Sequence, residues 1–133
     1  MVEILSPIRS AQLLVALFLA ILFLQSGIDK MVDRKGNLDW LKGHFANSPF
    51  KNIVPLLLTV ITLTEVAAGV LSATGAIQIA FFDRTQVALY GAQLSGLNIL
   101  MLFLGQRLAK DYVGAATLVS YFIAILFGIW LLS

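Results

Sequence analysis

Four long apolar stretches separated by short polar connections dominate the chain. They cover residues 13–32, 53–74, 86–105 and 112–132. Each has about 20 residues, which at ~1.5 Å per residue in an α-helix spans the ~30 Å hydrocarbon core of a bilayer. The pattern predicts an all-α membrane protein, a four-transmembrane-helix bundle with short loops that forms a single domain over residues 1–133. A cleaved signal peptide is the alternative for the first stretch, although no small-residue cleavage site follows it.

The longest polar connection, residues 33–50, lies between the first two spans. Within it Leu38, Leu41 and Phe45 fall on one face of a helix, and Trp40 lies beside them. Apolar and aromatic residues on one face of a short helix are typical of a segment that lies at the membrane–water interface. We therefore predict a short interfacial helix between spans one and two.

The composition supports a membrane protein and excludes several kinds of redox centre. Hydrophobic residues make up 59% of the chain and charged residues only 12%, too few to cover a water-soluble globule of this size. The net charge of +2 is small, so we predict no nucleic-acid partner. Without cysteine, the chain itself has no thiolate ligands, and its single histidine, His44, cannot form a bis-histidine haem site. We predict no metal site, so a redox role would depend on an organic cofactor or a partner protein.

Lysine and arginine are distributed unevenly between the two ends of the predicted spans. The connections that follow spans one and three hold seven of the nine, namely Lys30, Arg34, Lys35, Lys42, Lys51, Arg107 and Lys110. The opposite side holds Arg9 and Arg84. Because cytoplasmic loops are enriched in basic residues, these two connections are predicted to be cytoplasmic and both termini non-cytoplasmic.

A single carboxylate interrupts the second span. Thr59, Thr62, Glu65, Gly69 and Ser72 are spaced by three or four residues and therefore share one helix face. An acid at the bilayer centre costs about 2.5–3.5 kcal/mol, a cost that glutamine would avoid while still forming hydrogen bonds. Glu65 is therefore the candidate catalytic residue of the chain, as an acid that exchanges a proton.

Counting residues from the predicted span ends gives each polar side chain a depth in the membrane. Glu65 and Gln93 both lie at ~18 Å, which makes Gln93 the expected hydrogen-bond partner. Gln25 and Asn98 lie at ~11 Å and Tyr121 at ~14 Å. We predict that these five residues form a ligand-binding pocket inside the bundle. For Gln25, Gln93 and Asn98, simple hydrogen bonding between helices is the alternative.

The same count argues against an ion pair between Lys30 and Glu65. Lys30 lies at ~3 Å, so ~15 Å separates the two levels, whereas a lysine side chain spans ~6 Å. We therefore expect Lys30 to extend to the surface near Asp29 or Asp33, and Glu65, with no cation at its level, to be neutral. Gly27, Asp29 and Lys30 are predicted to bind a lipid headgroup or quinone ring at the interface, or else to anchor the helix end.

Several residues at the predicted helix ends form a pattern that resembles the DoxX-like family of membrane proteins. The pattern consists of Gly27-x-x-Lys30 in span one, Glu65-x-x-x-Gly69 with Gly75 in span two, Arg84 before span three, and the segment 105–116. The resemblance implies a protein of the bacterial inner membrane that is linked to redox chemistry, because the family includes the DoxD-type subunit of a thiosulfate:quinone oxidoreductase. It further implies a quinone as candidate ligand and a membrane or peripheral protein as partner. Since this chain has no large extra-membrane loop, we expect an accessory subunit of an oxidoreductase rather than an enzyme that acts alone.

Two other functions remain open. The chain is a membrane scaffold or assembly factor if its small-residue helix faces bind another membrane protein. It is a minimal carrier for protons or small solutes if Glu65 relays protons, although the sequence has no inverted repeat of the kind common in transporters.

Overall fold

The structure, a computed structural model, describes residues 6–133, and the regular secondary structure of this part of the chain is helical throughout. The five helices are α1 (Pro7–Val32), α2 (Arg34–His44), α3 (Val54–Phe82), α4 (Gln86–Leu108) and α5 (Tyr112–Leu132). All except α2 are long and apolar enough to cross a membrane. This arrangement confirms the predicted four-helix membrane bundle, with a short helix between the first two spans.

Capping side chains mark where two of the spans begin. The hydroxyl of Ser6 accepts a hydrogen bond from the backbone N–H of Arg9 at 3.2 Å, and Pro7 occupies the first turn, where its missing N–H costs nothing. Helix α1 therefore starts six residues before the predicted span. At α5, the carboxylate of Asp111 accepts from the N–H of Gly114 at 2.8 Å.

Helix α3 continues past residue 74, where the sequence pattern placed the end of the second span. Gly75 lies inside the helix, at a point where a Cβ atom would overlap the backbone of Ala88 in α4. Its role is therefore to allow close packing of two helices and not to end one. The helix ends instead at Asp83, whose backbone adopts the left-handed conformation with φ 54°, a conformation that aspartate tolerates better than most residues.

Helix α2 is fastened to the bundle at both of its ends. At its start, the guanidinium of Arg34 donates hydrogen bonds to the hydroxyl of Thr59 at 2.8 Å and to the carbonyl of Pro55 at 3.4 Å. At its end, His44 Nε2 lies 2.5 Å from the side-chain oxygen of Gln106 in α4. The helix therefore lies across the ends of α3 and α4 and forms a wall there.

The four spans pack in the order α1, α3, α4, α5. Helix α3 packs most extensively on α1 and α4, while α5 packs on α4 and less extensively on α1. The buried core takes residues from all four spans and includes Leu19, Phe23, Leu58, Ile79, Ile99 and Ile125. Glu65 lies on α3, the helix that packs most extensively against the rest of the bundle.

We expect Gly75→Ala to lower the free energy of unfolding by about 1–3 kcal/mol, because the added methyl group meets backbone that cannot easily move. Gly96→Ala is the matched control, since a Cβ there lies 3.4 Å from the Ile125 side chain, an ordinary contact. Denaturant unfolding in detergent micelles, followed by circular dichroism, measures both. Equal stability of the two variants would contradict the close approach of α3 and α4 at Gly75.

Candidate functional site

Lys30 and Glu65 form an ion pair inside the bundle. The ammonium nitrogen of Lys30 lies 3.1 Å from one carboxylate oxygen of Glu65 and 3.2 Å from the other. The Glu65 side chain is only 2% exposed, whereas that of Lys30 is 21% exposed. The lysine therefore neutralises a buried acid and still presents part of its side chain outside the core.

The prediction that these two residues are too far apart is wrong, and the packing of α1 on α3 gives the reason. A Cβ added at Gly27 would lie 2.7 Å from the Val66 side chain, so these two residues are level. Lys30 lies three residues beyond Gly27, only ~4.5 Å along the helix, within reach of a lysine side chain. The depth count failed because it assumed that α1 ends at the level where α3 begins.

The contact between Arg34 and Thr59 shows the offset directly. Arg34 follows the end of α1, yet its side chain bonds to a residue five positions inside α3. The end of α1 therefore lies deeper in the bundle than the start of α3. Two further expectations fail with the depth count: Lys30 turns inward and does not extend to the surface beside Asp29, and Glu65 has a cation at its own level.

Gln93 is not the partner of Glu65. Its side chain is exposed on the outer surface of α4, and Gly91, two residues earlier, packs against Ser72 rather than near Glu65. Gln25 is likewise exposed, on the outer face of α1. The structure therefore does not bring the five residues of the predicted pocket together.

Asn98 is the α4 residue that bonds to the turn of α3 preceding Glu65. It is fully buried, and its amide donates hydrogen bonds to the Thr64 hydroxyl at 2.7 Å and to the Ile61 carbonyl at 3.4 Å. Its amide oxygen has no hydrogen-bond partner among residues 6–133. Asn98 therefore ties α4 to the turn of α3 that carries Glu65.

The remaining predicted site residues have packing or surface positions. Tyr121 is half-buried and packs against the apolar core from α5. Gly27 is buried between α1 and α3, where it permits their close approach. Asp29 is exposed near the C-terminal end of α1. Of the three residues predicted to bind a headgroup or quinone at the interface, only Lys30 contacts a buried core residue and also lines a cavity.

A cavity of about 430 Å³ lies between α2, the first turns of α3 and the last turns of α4. Its lining is mostly apolar and comprises Lys30, Asn37, Trp40, Leu41, His44, Phe45, Phe50, Leu56, Leu57, Leu58, Val60, Ile61, Met101, Leu102, Leu104, Gly105 and Gln106. Lys30 is the only lysine or arginine in this lining, which includes no Asp or Glu of the described chain. Glu65 does not line the cavity itself and meets it only through Lys30.

The sequence feature that indicates this cavity is the spacing of residues within α2. Asn37, Leu41 and His44 are separated by four and three residues, so they share the face of α2 that lines the cavity. The sequence predicts that α2 is interfacial but does not predict what its inner face covers. The cavity depends on contacts between residues more than 50 positions apart, such as His44 with Gln106, which local pattern does not specify.

A polar cluster borders the cavity on the side of α2. The ring of His44 stacks on Trp40, with 4.5 Å between the ring centroids, and its Nε2 lies 3.6 Å from a carboxylate oxygen of Asp111. Within residues 6–133, no group of three His, Cys, Asp or Glu side chains is placed to bind a metal ion. His44 therefore serves here as a hydrogen-bonding group that joins α2 to the α4–α5 connection.

The opposite end of the bundle has a smaller, polar cavity of about 330 Å³, lined by Arg9, Gln12, Asp83, Arg84, Thr85 and Gln86. An ion pair between Arg9 and Asp83 crosses it, and Gln12 donates to the Leu131 carbonyl at 2.8 Å. These contacts join the ends of α1, α3 and α5, so this region has a structural role in the bundle.

Comparison of the chain with protein families, with curated proteins and with solved structures found no match. The resemblance to DoxX-like proteins therefore stays a prediction. What the chain binds is inferred from the geometry of the ion pair and of the cavity beside it.

We expect Lys30→Met to lower the free energy of unfolding by about 3–5 kcal/mol, because it leaves a buried carboxylate without its cation. The double variant Lys30→Met/Glu65→Met should recover most of this loss, since no unpaired charge remains. Lys42→Met, on the exposed face of α2, is the control and should change stability by less than about 0.5 kcal/mol. Unfolding curves in detergent measure these variants and Glu65→Met alone. Additive effects of Lys30→Met and Glu65→Met in the double variant would contradict the ion pair.

Proposed function

We propose that this chain is a small integral membrane subunit that binds an amphipathic membrane molecule, a quinone or a lipid, in the cavity beneath α2. The single observation that carries the proposal is the apolar cavity with the Lys30 side chain on its wall. Small-molecule sites are typically mostly apolar clefts of roughly 300–1,000 Å³ with a few placed polar groups. The cavity matches this description in size and in lining.

Exposed residues on the cavity wall support entry from the bilayer. Leu56 is 60% exposed and Leu104 51% exposed, and both line the cavity. Because four spans of this hydropathy lie in lipid, the outer surface at these positions faces acyl chains. A hydrophobic tail can therefore remain in the bilayer while the headgroup enters between α3 and α4.

The proposed setting is a redox-linked complex of the bacterial inner membrane, as the DoxX-like pattern implies. In this setting a protein partner carries out electron transfer, because the chain itself has no thiol. The chain contributes the binding site and is not catalytic alone. Glu65 holds Lys30 in place. Because Glu65 is buried and does not line the cavity, a proton that it exchanges passes through Lys30.

The proposed orientation places α2 and the cavity at the cytoplasmic face and both termini on the other side. Its support is the excess of lysine and arginine near α2 and in the α4–α5 connection. The ligand headgroup would then lie at the depth of the cytoplasmic leaflet.

A membrane scaffold or assembly factor is the second candidate function, and the exposed apolar surface of the spans is available for it. Small residues of the spans pack within the chain: Gly27 allows α1 to approach α3, and Gly75 and Gly91 allow α3 to approach α4. A partner would therefore have to bind larger side chains on the lipid-facing surface, which makes the cavity the better supported site.

We expect protein purified in mild detergent to carry a membrane molecule that mass spectrometry of an organic extract identifies. Met101→Trp should reduce the amount bound at least about fivefold, because the larger ring fills part of the cavity. Its neighbour Leu100 is 52% exposed and does not line the cavity, so Leu100→Trp is the matched control and should retain the ligand. Equal retention by the two variants, or no bound molecule in the unaltered protein, would contradict the proposed site.

A further inference from the structure

The Lys30 ammonium has a hydrogen-bond donor left over after it binds Glu65. An ammonium group carries three N–H donors. Two are accounted for by the carboxylate oxygens of Glu65 at 3.1 and 3.2 Å. Within residues 6–133 the structure gives this nitrogen no other partner, and Lys30 lines the cavity. One N–H is therefore available to an acceptor atom on a bound molecule.

The charge of the cavity wall is already balanced. Lys30 is its only lysine or arginine, and Glu65 lies directly behind the ammonium. His44, the other ionisable side chain on the wall, is joined to Gln106 and lies near the carboxylate of Asp111. A ligand that enters the cavity thus meets a hydrogen-bond donor without a net positive charge.

An anionic headgroup in this position would bring a second negative charge to a cation that is already paired. In an apolar site, like charges at close range repel strongly, and an anion also loses its hydration there. An uncharged carbonyl or ester oxygen loses much less on entry and can accept the free N–H of Lys30.

From this balance we propose, as an extension of the proposed function, that the cavity selects amphipaths with an uncharged, carbonyl-bearing headgroup over anionic ones. Glu65 is the residue that determines this specificity. Glu65 does not contact the ligand. It neutralises the charge of Lys30, which does contact the ligand.

The test uses two probes whose headgroups differ in charge and by one methyl group. One is stearic acid with a nitroxide group on its chain, at alkaline pH where its carboxyl group is ionised, and the other is the methyl ester of the same acid. The protein is reconstituted in phosphatidylcholine vesicles. Nitroxides quench tryptophan fluorescence, and Trp40 lines the cavity, whereas Trp130 lies exposed near the end of α5. A Trp130→Phe protein reports on the cavity, and a Trp40→Phe protein reports on probe that is merely dissolved in the bilayer.

We expect the ester to quench Trp40 saturably and about tenfold more tightly than the ionised acid, with no saturation at Trp130. In Glu65→Gln the preference should reverse, because Lys30 then lacks its counter-charge and attracts the carboxylate. The double variant Lys30→Met/Glu65→Gln should lose the affinity for the acid again, since it has neither charge. Circular dichroism and gel filtration confirm that each variant is folded.

The possible results distinguish failure of this inference from failure of the proposed function. Saturable quenching by both probes with equal affinity, or a preference of the unaltered protein for the acid, overturns the charge selection while leaving the cavity as a binding site. Saturation by neither probe overturns both. If Glu65→Gln does not fold, the comparison of the two probes on the unaltered protein still decides the question.

Discussion

The ion pair between Lys30 and Glu65 governs how the first half of the chain packs. A carboxylate buried in a membrane-spanning helix is costly unless a cation neutralises it, and here the cation comes from the neighbouring helix. The pair requires α1 to end at a particular level on α3, which Gly27 permits by packing directly on Val66. Because α1 ends at this level, the first turns of α3 extend beyond the end of α1.

That extension creates the space for the cavity. Because α3 begins before the level where α1 ends, its first turns need another neighbour, and α2 supplies one by lying across them. Arg34 fastens α2 to α3, and His44 fastens it to Gln106 in α4. The enclosed volume of about 430 Å³ therefore follows from the same offset that brings Lys30 to Glu65. One lysine serves both features, since it neutralises the core acid and faces the cavity.

Hydropathy predicted the fold well and the site only in part. Spans of about 20 apolar residues are specified by local composition, so their number and order followed directly from the sequence. The sequence also singled out Glu65, because an acid in such a span is costly without a partner. Its partner Lys30 could not be predicted, since Lys30 lies on α1 and reaches Glu65 only because of the offset between α1 and α3. That offset is set by close contacts such as Gly27 with Val66, which depend on tertiary packing.

The ionised contact between Lys30 and Glu65 underlies both the packing of α1 on α3 and the cavity. Solid-state NMR of the protein in lipid bilayers measures this contact. The chain has only two glutamates, Glu3 and Glu65, so labelling glutamate carboxyl carbons with ¹³C and lysine side-chain nitrogens with ¹⁵N gives few signals. We expect the Glu65 carboxyl carbon to have the chemical shift of an ionised group and a strong dipolar coupling to lysine nitrogen. That coupling should be lost in Lys30→Gln. A Glu65 signal with the shift of a protonated acid and no coupling to lysine nitrogen would contradict the ion pair.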